Sequence, residues 1–172
     1  MGTEGSTVLE PLGQWQGLPP LEASAVSGSA SCSLPPRYEA VRSAREFTRS
    51  TLHRWGLGDQ FDGVALVVSE LVTNALRHGL TGAGRPQADG EPPVRLHLVR
   101  WSARLVCAVR DPSEAAPETA EPDEEFVDFS AESGRGLHLV ECFSDDWGWH
   151  PLTGALCGKV VWALFRVAQD QD

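Results

Sequence analysis

Glu70, Asn74 and His78 are spaced four residues apart in the segment Ser69–Gly79, SELVTNALRHG. Because an α-helix turns about 100° per residue, each four-residue step advances only about 40°, and the three side chains share one narrow stripe. A carboxylate and a carboxamide one turn apart suit Mg²⁺, which takes few protein ligands and completes its shell with water and phosphate oxygens. Glu70 and Asn74 are therefore candidate site residues, whereas His78 is more simply explained as a helix-end residue.

The helix predicted from Asp62 to Gly79 places Glu70 and Asn74 at the border of a broad apolar arc. The members of this arc are Val64, Val67, Val68, Leu71, Val72, Ala75 and Leu76. Where core gives way to solvent, a carboxylate is poorly placed for core packing and well placed to line a cleft. Spacing alone leaves a second interpretation open, in which both side chains lie on an ordinary solvated helix edge.

Other predicted elements surround this helix. Pro35 and Pro36 open a helix that runs to about Trp55 and ends at Gly56, because proline is tolerated in a first turn and glycine favours a helix end. Two runs with period-two alternation predict antiparallel strands joined by a turn at 102–103, and the second strand delivers Asp111. The further predicted elements are a helix Gly136–Phe143, and strands Trp147–Trp149 and Lys159–Val167.

Helices and antiparallel strands in this order predict an α+β fold. We expect a two-layer sandwich with a mixed, mostly antiparallel sheet and helices on one face. The expected organisation is a flexible tail over residues 1–34, one domain over residues 35–168, and a short tail over residues 169–172.

The order of three motifs resembles the GHKL, or Bergerat-fold, ATPases. The helix with Glu70 and Asn74 corresponds to the N box, Asp111 to the Asp-containing box, and Ser133–Leu137 (SGRGL) to the glycine-rich box. The segments GRGLHLVECFSDDWGWHP and GKVVWALF further resemble the small anti-sigma-factor serine kinases of actinomycete type. The resemblance covers roughly residues 35–167, and it also implies a short edge strand between Leu21 and Leu34, because the family has a strand near this position. Each motif alone is a weak signal, and the three in order are a strong one.

The resemblance implies a role for each candidate residue. Asn74 would coordinate Mg²⁺ bridging the nucleotide phosphates, and Glu70 would be the general base for a serine hydroxyl. Asp111 would accept a hydrogen bond from the exocyclic amine of adenine, because a carboxylate is purely an acceptor. The remaining predicted nucleotide-binding residues, at a helix start where backbone N–H groups can face phosphate, are Gly134, Arg135, Gly136 and Leu137. Asp111 as an ordinary strand-end residue and Arg135 as a surface charge remain open.

Two positions depart from the family pattern. Pro112–Ala115 follows Asp111 where the family usually has glycines, and Val160 follows Lys159 where the family often has a threonine. The first change removes a close backbone approach beside the base, and the second removes a hydroxyl expected near adenine. Both changes would weaken nucleotide affinity without altering the Mg²⁺ position.

Charge and composition narrow the function classes. The net charge is −10, and the segment Asp111–Glu132 contains nine acidic residues and no Lys or Arg. Clustered basic residues are needed to neutralise nucleic-acid phosphates or to bind acidic membranes, so neither partner is expected. The acidic lid over residues 112–133 is either a solvated loop or a contact for a basic partner. The four cysteines show no CxxC spacing, and the sequence contains no signal peptide and no apolar run of about 20 residues. These features predict a cytoplasmic protein with reduced thiols.

Two functions follow from the resemblance. The first is an ATP- and Mg²⁺-dependent serine kinase that phosphorylates an anti-anti-sigma protein and sequesters a sigma factor, and the family commonly forms dimers. The second is a partner-binding module that keeps the fold without productive ATP binding. A stripe of arginines on the first helix, Arg42, Arg45 and Arg49, is either a solvated face or a surface for an acidic partner. A sensor histidine kinase core is disfavoured, because one helix with a lone His53 leaves no room for a phosphoacceptor hairpin.

Overall fold

The structure, a computed structural model, describes residues 26–79, 94–113, 116–117, 136–152 and 158–167. The strands are β1 (Val26–Leu34), β2 (Val94–Trp101), β3 (Arg104–Asp111), β4 (Asp146–Pro151) and β5 (Lys159–Arg166). The helices are α1 (Glu39–Arg54), α2 (Phe61–Asn74) and α3 (Gly136–Phe143), with a 3₁₀ turn at Gly58–Gln60 and a π-helical turn at Ala75–Gly79.

The five strands form one sheet in the order β1-β2-β3-β5-β4. A mixed, mostly antiparallel sheet is expected from the sequence, and all four pairings between the described strands are antiparallel. The β2–β3 hairpin turns at the predicted position, where Ser102 adopts a positive φ of 49°. The pairing of β3 with β5 sets Asp111 opposite Lys159. This register places the end of β3 beside the start of β5.

One face of the sheet carries the helices and the main core. The apolar arc of α2 is buried there, with Val64, Val67, Val68 and Val72 at 0% exposure. These side chains pack with Ala44 and Leu52 of α1, Val140 of α3 and alternate residues of the strands. Burial of apolar surface on this scale is the dominant stabilising contribution in a domain of this size. The predicted α+β architecture, with helices on one face, is confirmed.

The opposite face of the sheet carries a second apolar cluster. Its buried members are Val99, Trp101, Val106, Ala108, Val160, Trp162 and Leu164. Because successive residues of a strand point to opposite faces, this cluster and the main core divide the strands between them. Among the described residues, no helix contributes to the second cluster, and only Val26 and Leu152 are packed against it.

Helix boundaries differ from the sequence expectation at two places. α1 begins at Glu39 rather than at Pro35, because the N–H of Arg37 bonds the carbonyl of Pro35 in a separate turn (2.8 Å). At the other end of the helix, Gly56 adopts a φ of 69°, as expected for a glycine that ends a helix. α2 is α-helical only to Asn74, and the remaining residues to Gly79 form the π-helical turn.

Several sequence expectations lie outside the described residues. These are the N-terminal tail up to residue 25, most of the acidic lid, Cys157 and the C-terminal tail. None of the described helices is long and apolar enough to cross a membrane. Cys107 is fully buried, as predicted, and burial raises the pKa of its thiol to about 12.

Candidate functional site

Glu70 and Asn74 lie one turn apart on α2, and both are partly buried. Leu71 and Val72 between them are buried in the core, so the helix is anchored directly beside the two polar side chains. The neighbouring Ser69 is also tied down, because its hydroxyl donates to the carbonyl of Ala65 (2.6 Å). The predicted placement of Glu70 and Asn74 at the border of the apolar arc agrees with this burial.

Asn74 is the last α-helical residue before the π-helical turn. Insertions of π geometry into α-helices are rare and occur frequently at functional sites. The turn packs against β3, the strand that ends at Asp111. The helix of the N box and the strand of the Asp box are therefore neighbours in the fold. The side chain of His78 lies outside the described residues.

The donor set on α2 fits a magnesium ion that is held mainly by nucleotide phosphates. Across the described part of the chain, no group of three or more His, Cys, Asp or Glu side chains is arranged to hold a metal. Mg²⁺ does not require such a group, because one or two protein oxygens with water and phosphate oxygens complete its octahedral shell. The amide oxygen of Asn74 is an oxygen donor of this kind, and the carboxylate of Glu70 lies one turn away on the same helix.

Asp111 is buried at the end of β3, with a residue exposure of 2%. Its Oδ1 accepts a hydrogen bond from the ammonium of Lys159 (3.1 Å) and another from the backbone N–H of Ser113 (2.8 Å). Lys159 is equally buried, so the two form an ion pair that is largely removed from water. An interaction of this kind is less screened than a pair on the surface.

Gly158 allows the start of β5 to approach Asp111. Its φ is 115°, and a Cβ atom added there would lie 2.0 Å from the carbonyl oxygen of Asp111. A larger residue would therefore be strained in conformation and would also displace the backbone of β3. Gly158 therefore contributes to the backbone geometry that places Lys159 beside Asp111.

Val160 points away from Asp111. It belongs to the second apolar cluster, whereas Val109 of β3 and Val161 of β5 lie in the main core. By strand alternation, Asp111 and Lys159 face the helix-bearing side and Val160 faces the other side. A hydroxyl at position 160 would therefore not face Asp111, and the expected effect of Val160 on nucleotide affinity stays a prediction.

The glycine-rich box is described only in part. Gly134 and Arg135 lie outside the described residues, whereas Gly136 and Leu137 are the first two residues of α3. Leu137 is buried, with 4% exposure, so a phosphate contact from it would come from its backbone N–H group. α3 packs against α2, which brings the described end of this box next to the N-box helix.

A basic group on the sheet was not foreseen from the sequence. Arg95 and Arg110 are paired in the β2–β3 register and lie near the partly buried His97. Burial, with the charges of the two arginines, lowers the pKa of His97 to about 4. Burial also lowers the pKa of His150 on β4. Both histidines are therefore neutral at pH 7.

Lys159 is the residue of the site that sequence analysis missed. In the sequence, Lys159 stands only as the residue before Val160, and it lies 48 positions from Asp111. The one available signal was its location at the start of an apolar strand, where a lysine followed by seven mostly apolar residues is an unusual core neighbour. Strand pairing, which is not encoded locally, makes the contact.

Comparison with known proteins identifies the domain. Residues 34–163 match the family described as "Histidine kinase-like ATPase domain". The chain belongs to this family. The match spans all the described elements from the end of β1 into β5, so the histidine kinase-like ATPase domain accounts for most of the sheet and all three helices.

Two solved structures resemble this histidine kinase-like ATPase domain in fold. One is the crystal structure of the RsbU and RsbW domains of Rv1364c from Mycobacterium tuberculosis (TM-score 0.53, 15% identity), with 81% of this chain and 32% of that chain covered. The other is the SiaB–SiaC complex from Pseudomonas aeruginosa (TM-score 0.53, 14% identity), with 82% and 91% covered. This chain thus spans about a third of the length of the mycobacterial one. No curated protein matches the sequence.

The family assignment agrees with the order of the three motifs, and the structure shows which elements contain them. The Bergerat-type fold is established by the sheet, the helices and the family match together. Membership in an ATPase family implies an ATP-binding site, and the N box, the Asp box and the described start of the glycine-rich box come from elements that pack together.

Proposed function

We propose that this chain is an ATP- and Mg²⁺-dependent protein serine kinase of the partner-switching type. It would phosphorylate an anti-anti-sigma protein, hold a sigma factor and thereby regulate transcription in the cytoplasm. The observation that carries the proposal is the pair Glu70 and Asn74, one turn apart at the partly buried edge of α2 in a histidine kinase-like ATPase domain. The RsbW domain and the SiaB–SiaC complex among the structural neighbours support the choice of partners.

The proposed chemistry needs little beyond positioning and one base. The oxygen of the substrate serine attacks the γ-phosphorus, the bond from the γ-phosphorus to the ADP oxygen breaks, and Glu70 accepts the proton that the hydroxyl loses. Asn74 would hold Mg²⁺ through its amide oxygen, and the ion when bound offsets the charge of the phosphates. Asp111 would accept the adenine amine, and backbone N–H groups from Gly134 to Leu137 would contact phosphate oxygens.

A groove on α1 is a candidate surface for the partner protein. The groove has a volume of about 640 Å³ and is lined by Tyr38, Val41, Arg42, Arg45, Glu46 and Arg49. Tyr38 is 86% exposed, which is unusual for a large aromatic side chain. Three arginines against one glutamate favour an acidic partner, and the exposed tyrosine is equally compatible with a homodimer.

Part of the arginine stripe is tied to α2. Arg45 donates to the hydroxyl of Ser69 (3.4 Å), and the guanidinium of Arg49 lies 4.5 Å from the ring centroid of Phe61. Arg42 is paired with Glu46 on the surface of α1 (3.4 Å). A partner that engages Arg45 would therefore bind a side chain that itself contacts Ser69, the residue directly before Glu70, which links the proposed surface to the proposed base.

The second candidate function is a partner-binding module without phosphotransfer. It is favoured by the burial of Asp111 and by its ion pair with Lys159, because a carboxylate that already accepts two hydrogen bonds has less capacity left for a nucleotide base. The changed sequence after Asp111 favours it as well. Phosphotransfer distinguishes the two functions directly.

The test is transfer of labelled γ-phosphate from ATP to an anti-anti-sigma protein from the same genome. The wild-type chain is compared with Glu70→Gln, which keeps the size and polarity of the side chain and removes the base. We expect phosphoserine with the wild type and a loss of about 10²–10⁴-fold with Glu70→Gln, the usual contribution of a general base.

Glu141→Gln on α3 is a matched control, because it is an exposed glutamate outside both the α2 edge and the α1 groove. Its transfer rate should equal that of the wild type. Failure of the wild type to transfer phosphate to any serine of such proteins, while it still binds them, would replace the kinase with the second candidate function.

A further inference from the structure

The ammonium of Lys159 forms an ion pair with Asp111, the residue that would recognise the adenine base in the proposed site. The side chains of Lys159 and Asp111 are each 3% exposed, and their charged atoms are 3.1 Å apart. A buried carboxylate without a counter-charge takes up a proton, because burial disfavours its charged form. Lys159 supplies a counter-charge that opposes this tendency at Asp111.

The contacts also orient the carboxylate. Its Oδ1 faces both the ammonium of Lys159 and the backbone N–H of Ser113, so the plane of the group is defined by two donors from different segments. Gly158 holds the start of β5 against the backbone of Asp111, which fixes the position of the next residue. The side chain of Asp111 is therefore held from both strands.

We propose that Lys159 is a positioning residue that keeps Asp111 charged and oriented, and thereby sets the preference of the site for adenine over guanine. The inference rests on the proposed ATP site. A charged carboxylate can only accept hydrogen bonds. It therefore favours the exocyclic amine of adenine and repels the carbonyl oxygen that guanine presents at the same position.

Loss of the lysine charge would reverse part of this preference. A protonated Asp111 has an O–H group that can donate to the guanine carbonyl oxygen. It also becomes a weaker acceptor for the adenine amine, because hydrogen bonds to a charged group are stronger than neutral ones. Selectivity, and not only affinity, would change.

The experiment measures binding of Mg-ATP and Mg-GTP to the wild type, Lys159→Met and Lys159→Arg between pH 7 and pH 9. Methionine keeps much of the length of lysine and removes the charge, whereas arginine keeps the charge. For Lys159→Met at pH 7 we expect the ratio of ATP to GTP affinity to fall by about tenfold, the size of one charged hydrogen bond. The ratio should recover as the pH rises and Asp111 loses its proton.

The arginine variant should keep the wild-type ratio within about threefold and should show no such pH dependence, since its guanidinium stays charged. A Lys159→Met variant that binds ATP with wild-type selectivity and an unchanged pH profile would overturn the proposal. A purely structural lysine would weaken both nucleotides equally and leave the ratio unchanged.

A second readout does not need a nucleotide. In the folded Lys159→Met variant, the buried Asp111 would stay protonated at pH values at which Asp111 is already deprotonated in the unfolded chain. The free energy of unfolding of Lys159→Met, relative to that of the wild type, should therefore fall as the pH rises from 5 to 8. The double variant Lys159→Met/Asp111→Asn removes the titrating group and should not show this fall.

The two readouts separate the two claims. Suppose that the wild type binds no nucleotide, that Lys159→Met shows the pH-dependent fall in stability, and that the double variant does not. The proposed function then fails, whereas the inference that Lys159 controls the charge of Asp111 stands. Wild-type-like pH dependence of unfolding in Lys159→Met would contradict that control whether or not the chain binds ATP.

Discussion

At the scale of single residues, the side chains of the candidate site differ in how firmly the protein holds them. Asp111 accepts hydrogen bonds from two directions and is buried. Glu70 and Asn74 lie at a partly buried edge of α2. This difference in burial fits the proposed function, in which Asp111 would recognise adenine and Glu70 and Asn74 would act at the phosphates.

His97 should make stability depend on pH. Its pKa is lowered from 6.5 to about 4 in the folded protein by burial and by the nearby arginines. Above pH 6.5 both the folded and the unfolded states carry a neutral ring, so no effect is present. As the pH falls from 6.5 towards 4, only the unfolded state takes up the proton, and the folded state loses stability, by roughly 2–3 kcal/mol at pH 4.5.

Urea unfolding at pH 7 and pH 4.5 measures this effect. We expect His97→Gln to lose less stability between the two pH values than the wild type does, by roughly 2 kcal/mol. His53→Gln on the exposed surface of α1 is the control and should behave as the wild type. Equal losses in the wild type and His97→Gln would show that the ring of His97 is not held neutral.

At the scale of elements, two glycines allow tryptophans to pack. A Cβ atom at Gly148 of β4 would lie 2.5 Å from the ring of Trp162, its register partner on β5, and one at Gly28 of β1 would lie 2.8 Å from the ring of Trp55. These glycines are therefore required by close contact and not by backbone conformation. They set the distance between a strand and a large neighbouring ring.

Gly148→Ala should destabilise the protein. Because Trp162 is 2% exposed and cannot move into solvent, the added methyl group must displace β4 or the ring, at a cost of about 1–3 kcal/mol. Gly63→Ala on α2 is the matched control, since nothing lies within 4 Å of its Cβ position. Gly63 lies in the first turn of α2, where alanine in place of glycine should raise stability by about 0.5 kcal/mol, the lower end of the helix-interior effect.

Thermal or urea unfolding of the two alanine variants gives the comparison. The expected outcome is opposite signs for the same chemical change at Gly148 and Gly63. A Gly148→Ala variant as stable as the wild type would mean that β4 is not held against Trp162 as the structure describes.

Local patterns predicted the elements well and their contacts poorly. The apolar arc of α2 follows from a 3.6-residue period, so its buried face and the edge position of Glu70 were accessible from the sequence. The contact between Lys159 and Asp111 depends on the pairing of β3 with β5 across 48 residues, which no local pattern contains. The π-helical turn after Asn74 was missed because its residues are ordinary helix formers.

At the scale of the whole molecule, the charge is distributed unevenly along the chain. The net charge is −10, of which −9 lies in the segment from residue 111 to residue 132, whereas α1 carries four exposed arginines, Arg42, Arg45, Arg49 and Arg54. Because the two charges lie in different segments of the chain, partners of opposite charge would be attracted to different segments.

The central claim is that the α2 edge forms a magnesium nucleotide site, and calorimetric titration with Mg-ATP tests it most directly. The account predicts adenine-selective binding in the micromolar range that requires Mg²⁺ and is lost in Asn74→Ala, while the circular dichroism spectrum stays unchanged because Asn74 is only partly buried. Binding in Asn74→Ala as tight as in the wild type, or no heat with millimolar ATP, would contradict it.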